Sequence, residues 1–480
     1  MSALWDAKSE TVQIDVASGL PSHARDDRER RLVRKIDLRM SVVVLLYALN
    51  YIDRANASSA RLGGFEKDLH LHGSQYSTIL SIVYVGFCIM QVPANMFLHW
   101  LERPAILIPC CMMIWGIVST LTGITRNYIG VLLARFFLGV AEAPFFPGAI
   151  FLISGWYKRD ELAVRTTLVT CGGVISAGFG SLFASGILTN MQGVLGQAAW
   201  RRELWLFFIE GGATIAVAIC AMFILPNFPH NTRWLTPEER SLAISRLAND
   251  GNGRIDGPGK RKTVQGLWDA LLDWKVWWFA VALIVDYMVL SFVIYFPTIV
   301  ATMGYDTTVT LLLAAPPWVL ATIGAFALSR YSDRTQQRFI CIFASNTLVA
   351  LGFTISICTM NMVARYVSLF LMAQTAAGQI VLWAWVNNTF ARQPAKRAVA
   401  VALISAMSAI GNIVGSFVWP LNWGPTYRYS YAICLAALGV STGMLGVMHL
   451  HLKRENEQIE RNERNAGNTL QDTVKFRYLV

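Results

Sequence analysis

Apolar residues run in long, nearly unbroken blocks along this chain. They show neither the stripes of a surface helix nor the alternation of a half-buried strand. A helix needs about 20 such residues to cross a hydrocarbon core of about 30 Å. Twelve blocks reach that length, at residues 38–62, 75–98, 104–123, 128–150, 166–188, 205–226, 277–300, 309–329, 339–359, 365–387, 398–419 and 429–451. The pattern predicts an all-α membrane protein with twelve transmembrane helices in two six-helix halves, 38–226 and 277–451. Polar segments frame the halves: a tail over 1–37, a central loop over 227–276 and a tail over 452–480 that reads as mobile. In the central loop, Asn249 to Gly259 is rich in Gly, Asp and Asn and reads as flexible. Trp234 to Arg240 reads as a short surface helix, capped by Thr236 with Pro237 at its first position.

Composition and charge sharpen the picture. Apolar residues make up 54% of the 480 positions and charged residues 15%, against about 25% charged in a soluble domain. That balance excludes a disordered chain, a disulfide scaffold and an ordinary soluble enzyme. The net charge of +11 fits basic loops beside anionic lipid better than a nucleic-acid partner. With the N-terminus in the cytosol, most of the 41 Lys and Arg residues fall on cytosolic segments, and an even number of spans puts both termini there. No short apolar stretch with a small-residue cleavage site follows the start, so the first span is expected to remain as an anchor. The eight cysteines all lie in apolar stretches, with no CxxC pair and no His at ligand spacing. They read as small buried hydrophobes, with no metal site, and no cofactor is expected.

Several motifs are more specific. Tyr47-Ala-Leu-Asn-Tyr-Ile-Asp-Arg-Ala-Asn56 opens the set, followed by Gln75-Tyr-Ser and Gln91-Val-Pro-Ala-Asn95. Ala134-Arg-Phe-Phe-Leu-Gly-Val-Ala-Glu-Ala-Pro-Phe-Phe-Pro-Gly148 and Trp156-Tyr-Lys-Arg-Asp-Glu-Leu-Ala-Val-Arg165 come next, then Phe208-Ile-Glu-Gly211. The second half contributes Leu312-Leu-Ala-Ala-Pro-Pro317, Ser332-Asp-Arg334, Gly411-Asn412 and Pro425-Thr-Tyr-Arg428. In order and spacing over about residues 35–450, the set resembles the anion:cation symporter branch of the major facilitator superfamily. The likeness is greatest to the fungal allantoate, nicotinate, pantothenate and biotin permeases. The loop motif of that superfamily is degenerate between helices 2 and 3, where Leu101-Glu-Arg-Pro104 stands; Ser332-Asp333-Arg334 with Arg338 keeps it better. The resemblance implies the major facilitator fold and proton-coupled uptake of a small organic anion, most simply a monocarboxylate. One chain supplying both halves leads us to expect a monomer.

Ionisable groups inside spans are costly and usually face a polar cavity. Six qualify: Asp53, Arg54, Arg135, Glu142, Glu210 and Asp286. Adjacent helical residues point about 100° apart, so Asp53 and Arg54 must each find a partner on another helix. Guanidinium grips a carboxylate through two parallel hydrogen bonds, which makes Arg54 the candidate substrate clamp; the resemblance implies the same role. Arg135 and Glu142 lie two turns apart on one face of helix 4. Desolvation and a nearby arginine act in opposite directions on Glu142, which suits a carboxyl that takes up and releases protons. The resemblance implies that Asp53 and Glu142 carry the proton while Arg135 tunes them; the competing reading is a static Arg–Glu brace.

Glu210, close to Arg201 and Arg202, reads as a structural or gate ion pair, and Asp286 as a group with a local polar partner. Asp333 and Arg334 belong to the same structural or gate group. Tyr51, Tyr84, Gln379, Trp383 and Asn412 are candidate substrate contacts. Gln379, Trp383 and Asn387 share one face of helix 10, and Tyr287 and Tyr295 lie on helix 7. Plain packing is the competing reading for the aromatic members. Gly172, Gly173, Gly178 and Gly180 on helix 5 suit close helix packing. Two other functions remain open: export of an acidic or aromatic metabolite by the same fold, and a nutrient sensor that binds without transport. Without a targeting signal at Arg477-Tyr-Leu-Val480, the plasma membrane is the expected location.

Overall fold

The computed structural model describes residues 22–101, 103–190, 202–232, 234–249, 260–390, 394–465 and 478–479. Twelve long helices form among them. The N-terminal half holds α1 (Ser22–Gly63), α2 (Gln75–Leu101), α3 (Pro104–Ile124), α4 (Tyr128–Ser154), α5 (Arg159–Asn190) and α6 (Arg202–Ile224). The C-terminal half begins with α7, which runs over Trp274–Val289 and continues through Ser291–Ile294 and Phe296–Ala301. It is completed by α8 (Thr307–Thr335), α9 (Arg338–Cys358), α10 (Met362–Thr389), α11 (Pro394–Gly415) and α12 (Arg428–Asn465). The described residues contain no strand. Nine of the helices, α3 to α10 and α12, are long and apolar enough to cross a membrane. The apolar stretches of α2 and α11 are shorter, Gln75–Gln91 and Val399–Gly415, and α1 carries the Asp53-Arg54 pair within its length.

Local chemistry sets the helix starts. Asn127 Oδ1 accepts from Gly130 N at 2.7 Å at the head of α4, and Asn361 Oδ1 accepts from Val363 N and Ala364 N at α10. Asp273 and Asp306 cap α7 and α8 in the same way. Three spans are broken, each where a turn interrupts the ladder. α4 breaks at Ala143-Pro144, directly after Glu142; α7 breaks at Leu290 and again at Tyr295; α10 breaks at Gln374. Proline lacks the amide that would continue the ladder, which explains the first break. In transporters, such interrupted helices line the path of the substrate.

The expected surface helix in the central loop is present as Pro237–Asn249. Thr236 and Glu239 close a reciprocal capping box, each side chain bonding the other's backbone amide at 3.2 Å. The Lys35 ammonium also bonds Glu239 and holds that carboxyl below the usual range. Arg39 lies over the Trp234 ring at 4.4 Å, so the loop is fastened to the first helix. The stretch Asn249–Gly259, read as flexible, lies outside the described residues beyond Asn249 itself. The C-terminal tail departs from expectation. α12 continues to Asn465, and the pair Tyr478–Leu479 is docked: Tyr478 exchanges two hydrogen bonds with Asn456, and the buried Trp385 indole donates to the Leu479 carbonyl at 2.9 Å.

The halves meet along two helix pairs, α5 with α8 and α2 with α11. Gln91 Nε2 donates to Ser405 Oγ at 2.9 Å across the second pair. Burial is uneven along the bundle axis. At the end remote from Ser22, one apolar core runs through both halves, joining Ala57, Tyr76 and Phe207 to Phe292, Tyr295, Trp318 and Trp419. Polar contacts reinforce it. Arg61 lies over Tyr76 at 4.3 Å, bonds Glu66 at 3.0 Å and reaches Thr298 at 3.4 Å; the Ser77 and Tyr295 hydroxyls meet at 3.2 Å. At the opposite end each half keeps its own core, around Trp115, Phe145 and Trp156 in one and Phe279, Trp385 and Ile404 in the other. One core therefore closes the remote end across both halves, while toward the end that bears α1's extension, the central loop and the end of α12 the large cores stay separate and only a small cluster, Cys171 with Ala325, Ala377 and Ile380, joins the halves.

Glycine permits the closest helix contacts. A Cβ on Gly139 of α4 would lie 1.9 Å from the Val83 carbonyl oxygen of α2, and one on Gly411 of α11 would lie 2.1 Å from that of Ile284 in α7. Both obstacles are backbone, so neither can swing aside. Gly139→Ala is expected to destabilise the protein by about 1–3 kcal/mol or more. A melting curve of the purified protein in detergent checks this, with Gly186→Ala as control, because a Cβ there meets nothing within 4 Å.

Candidate functional site

The site builds outward from Arg54. One residue earlier, Asp53 turns into the N-terminal half and is fully enclosed. It accepts from Trp115 Nε1 at 3.2 Å and Ser119 Oγ at 3.4 Å on α3, and from Thr214 Oγ1 at 3.0 Å on α6. Arg54 turns the other way, and its side chain keeps 23% of its surface exposed. Its Nε bonds the Glu142 carboxylate of α4, which is fully buried. The guanidinium lies 5.1 Å from the Phe87 ring centre and 5.9 Å from that of Tyr84, both on α2. The 100° step between neighbours on a helix thus separates the two charges of α1 into different surroundings.

Arg135 does not form the competing static brace with Glu142. It is buried beneath the Phe207 ring of α6 at 5.6 Å, and its Nε and Nη2 make no hydrogen bond. Glu142 remains one of its electrostatic neighbours. Two turns along α4 bring the residues onto one face, but Arg54 arrives from α1 and takes the carboxylate first. Asn50, one turn before Arg54, also neighbours Glu142, yet Glu142 Oε1 and Asn50 Nδ2 both lack a hydrogen bond. Glu210 is buried on α6 near Asp53 and Arg135, and neither of its oxygens is hydrogen-bonded. The ion pair expected for it involves Arg201 and the Arg202 side chain, which lie outside the described residues.

The C-terminal half faces this cluster with aromatic groups. Tyr287 of α7 is an electrostatic neighbour of Tyr51 and Tyr84, and the Trp383 indole holds its hydroxyl at 3.1 Å. Tyr51 is 38% exposed and the Arg54 side chain 23%. Gln379 donates to Asp286, which also accepts from Ser441 at 3.4 Å. Asp286 therefore has the local polar partner expected of it, and that partner is a residue read as a substrate contact. Asn387 bonds the Trp383 carbonyl of its own helix at 2.9 Å. Asn412 is buried on α11 beside Gly411, where α11 touches α7. Asp333 pairs with Arg338 at 2.7 Å, while Arg334 is exposed. No group of three or more His, Cys, Asp or Glu could hold a metal ion among the described residues.

Phe87, Trp115, Ser119 and Thr214 were not legible as site residues. Each sits in an apolar stretch where an aromatic or hydroxyl side chain looks like packing, and only the relative rotation of the helices gives it a role.

Two six-helix halves around a charged midpoint are the plan of a membrane transporter. Residues 43–464 match the Major Facilitator Superfamily, and the chain belongs to that superfamily. It is similar to "MFS-type transporter cnsO" of Penicillium expansum, 30% identical over 457 residues that span 91% of this chain and 85% of that one. An Agrobacterium vitis protein provisionally named a tartrate transporter is 29% identical over 413 residues, or 83% of this chain and 86% of that one. Among solved structures, the fold is similar to a D-xylose–proton symporter, with a TM-score of 0.63 at 14% identity, covering 85% of this chain and 96% of that one. It is also similar to a bacterial homologue of the human lysosomal transporter Spinster in an inward-facing form, with a TM-score of 0.61 at 15% identity, covering 86% and 95%. The protein is a multi-pass membrane transporter, not an enzyme.

Proposed function

We propose that this transporter is a proton symporter for a small organic anion, most simply a monocarboxylate, which it carries into the cell. The observation that carries the reading is the pairing of a partly exposed arginine, Arg54, with a fully buried carboxylate, Glu142. A carboxylate substrate wants the same guanidinium that Glu142 occupies. A proton on Glu142 weakens its hold and frees the fork for the incoming anion. Proton and anion then bind together, and deprotonation returns Arg54 to Glu142 and expels the anion.

Charge balance supports the reading. The core of the N-terminal half gathers the carboxyls of Asp53, Glu142 and Glu210 against the guanidiniums of Arg54 and Arg135. Uncompensated buried charge costs several kcal/mol, so a neutral set holds one proton. Asp53 has three donors around it and suits a fixed anion; Glu142, with one free oxygen and a mobile partner, suits the exchanging one. Arg135 tunes the set from behind.

In this reading all twelve helices span the bilayer of the plasma membrane and both termini are cytosolic. The end with separate cores then faces the cytosol and the protein rests inward-facing as a monomer. Arg61, Tyr76 and Tyr295 form the outer seal that must open for loading. The test is uptake of labelled nicotinate, allantoate, pantothenate and biotin into proteoliposomes, with and without an inward proton gradient. The expected result is gradient-dependent accumulation of an anion and none of an uncharged control. Accumulation indifferent to the gradient would remove proton coupling, and outward movement would reverse the direction.

A further inference from the structure

The surroundings of Arg54 narrow the substrate class, an inference that rests on the anion reading above. We propose that the substrate is an aromatic monocarboxylate: a flat ring whose carboxylate meets Arg54 while its faces lie between tyrosine and phenylalanine side chains.

Two rings of α2 flank the guanidinium, Phe87 at 5.1 Å and Tyr84 at 5.9 Å. Tyr51 of α1 is a further neighbour of Arg54, and Tyr287 of α7 neighbours Tyr51 and Tyr84 in turn. Their positions are fixed by neighbours. Tyr51 packs edge-on against Tyr47 at 5.0 Å, and Tyr47 is stacked parallel to Phe145 at 5.9 Å. Gly173 of α5 leaves the room for this: a Cβ there would meet Tyr47 Cε1 at 2.9 Å and Tyr51 Cε2 at 3.1 Å. The Trp383 indole holds Tyr287. Aromatic rings prefer offset or edge-to-face partners, and a cage of held tyrosines offers both to a flat guest.

The test is calorimetric binding of benzoate, cyclohexanecarboxylate and tartrate to the purified full-length protein in detergent at mildly acidic pH. Benzoate is expected to bind at least tenfold more tightly than cyclohexanecarboxylate, which matches it in charge and size but lacks the π face. Tyr84→Leu and Phe87→Leu, which keep the bulk apolar, should each weaken benzoate about three- to tenfold and leave cyclohexanecarboxylate unchanged. If tartrate or cyclohexanecarboxylate binds as tightly as benzoate and needs Arg54, the aromatic class is wrong while the anion reading stands. If none of the three binds, both are wrong.

Discussion

Arg54→Ala is expected to cut anion accumulation by about a hundredfold or more while the protein still reaches the membrane. Losing one member of a charged hydrogen-bonded pair at a binding site costs about 2–5 kcal/mol, and each 1.4 kcal/mol is a factor of about ten. Arg54 is the cation whose side chain is both exposed to the inter-half space and flanked by the ring cage. Arg135, the other cation of the core, is enclosed under Phe207 and cannot substitute for it. Folding is expected to survive because Glu142, deprived of its partner, can hold a proton instead of a buried charge. Arg54→Lys separates charge from geometry. It keeps the cation and loses the fork, so uptake should recover only in part. Uptake into proteoliposomes, with a melting curve on each variant, checks the set; near-normal uptake by the alanine variant would remove Arg54 as the clamp.

Glu142→Gln should uncouple transport from the proton gradient. Anion exchange across the membrane is expected to persist, while accumulation falls to a ratio of about one, because no group remains whose proton must travel with the substrate. The sign of the pH effect follows from the pair. In the wild type, raising the pH deprotonates Glu142, which reclaims Arg54 and weakens anion binding. In the variant the neutral amide never competes as an anion, so affinity should be flat across the same range and higher than wild type on the alkaline side. Binding titrations from acid to alkaline pH read this directly. A variant whose affinity still falls with rising pH would pass the coupling role to another carboxyl, with Glu210 the first candidate because both its oxygens are unbonded.

The helices and their order were legible because apolar block length is a direct physical requirement of the bilayer, and the capped start of Pro237–Asn249 was legible because Thr, Pro and Glu stand at the right offsets. The charges inside the spans were legible as exceptional. Their partners were not. The 100° step shows that Asp53 and Arg54 diverge, but not which of them faces α3 and α6 and which faces the opening. Spacing on α4 offers Arg135 to Glu142, whereas the closer approach comes from Arg54, 88 residues away in the chain. Gln379 and Asp286 each carried a signal; that they satisfy one another depends on how α7 and α10 are rotated. The docked Tyr478–Leu479 pair left no trace in the pattern, since its hold on Asn456 and Trp385 runs largely through backbone groups.

The central claim is that anion and proton bind as a pair because Arg54 cannot hold Glu142 and substrate at once. Proton uptake by the purified protein on addition of anion, followed with a pH indicator in weakly buffered solution, tests it most directly. About one proton is expected to be taken up per anion bound by the wild type and none by Glu142→Gln. Anion binding by the wild type with no change in pH would contradict it.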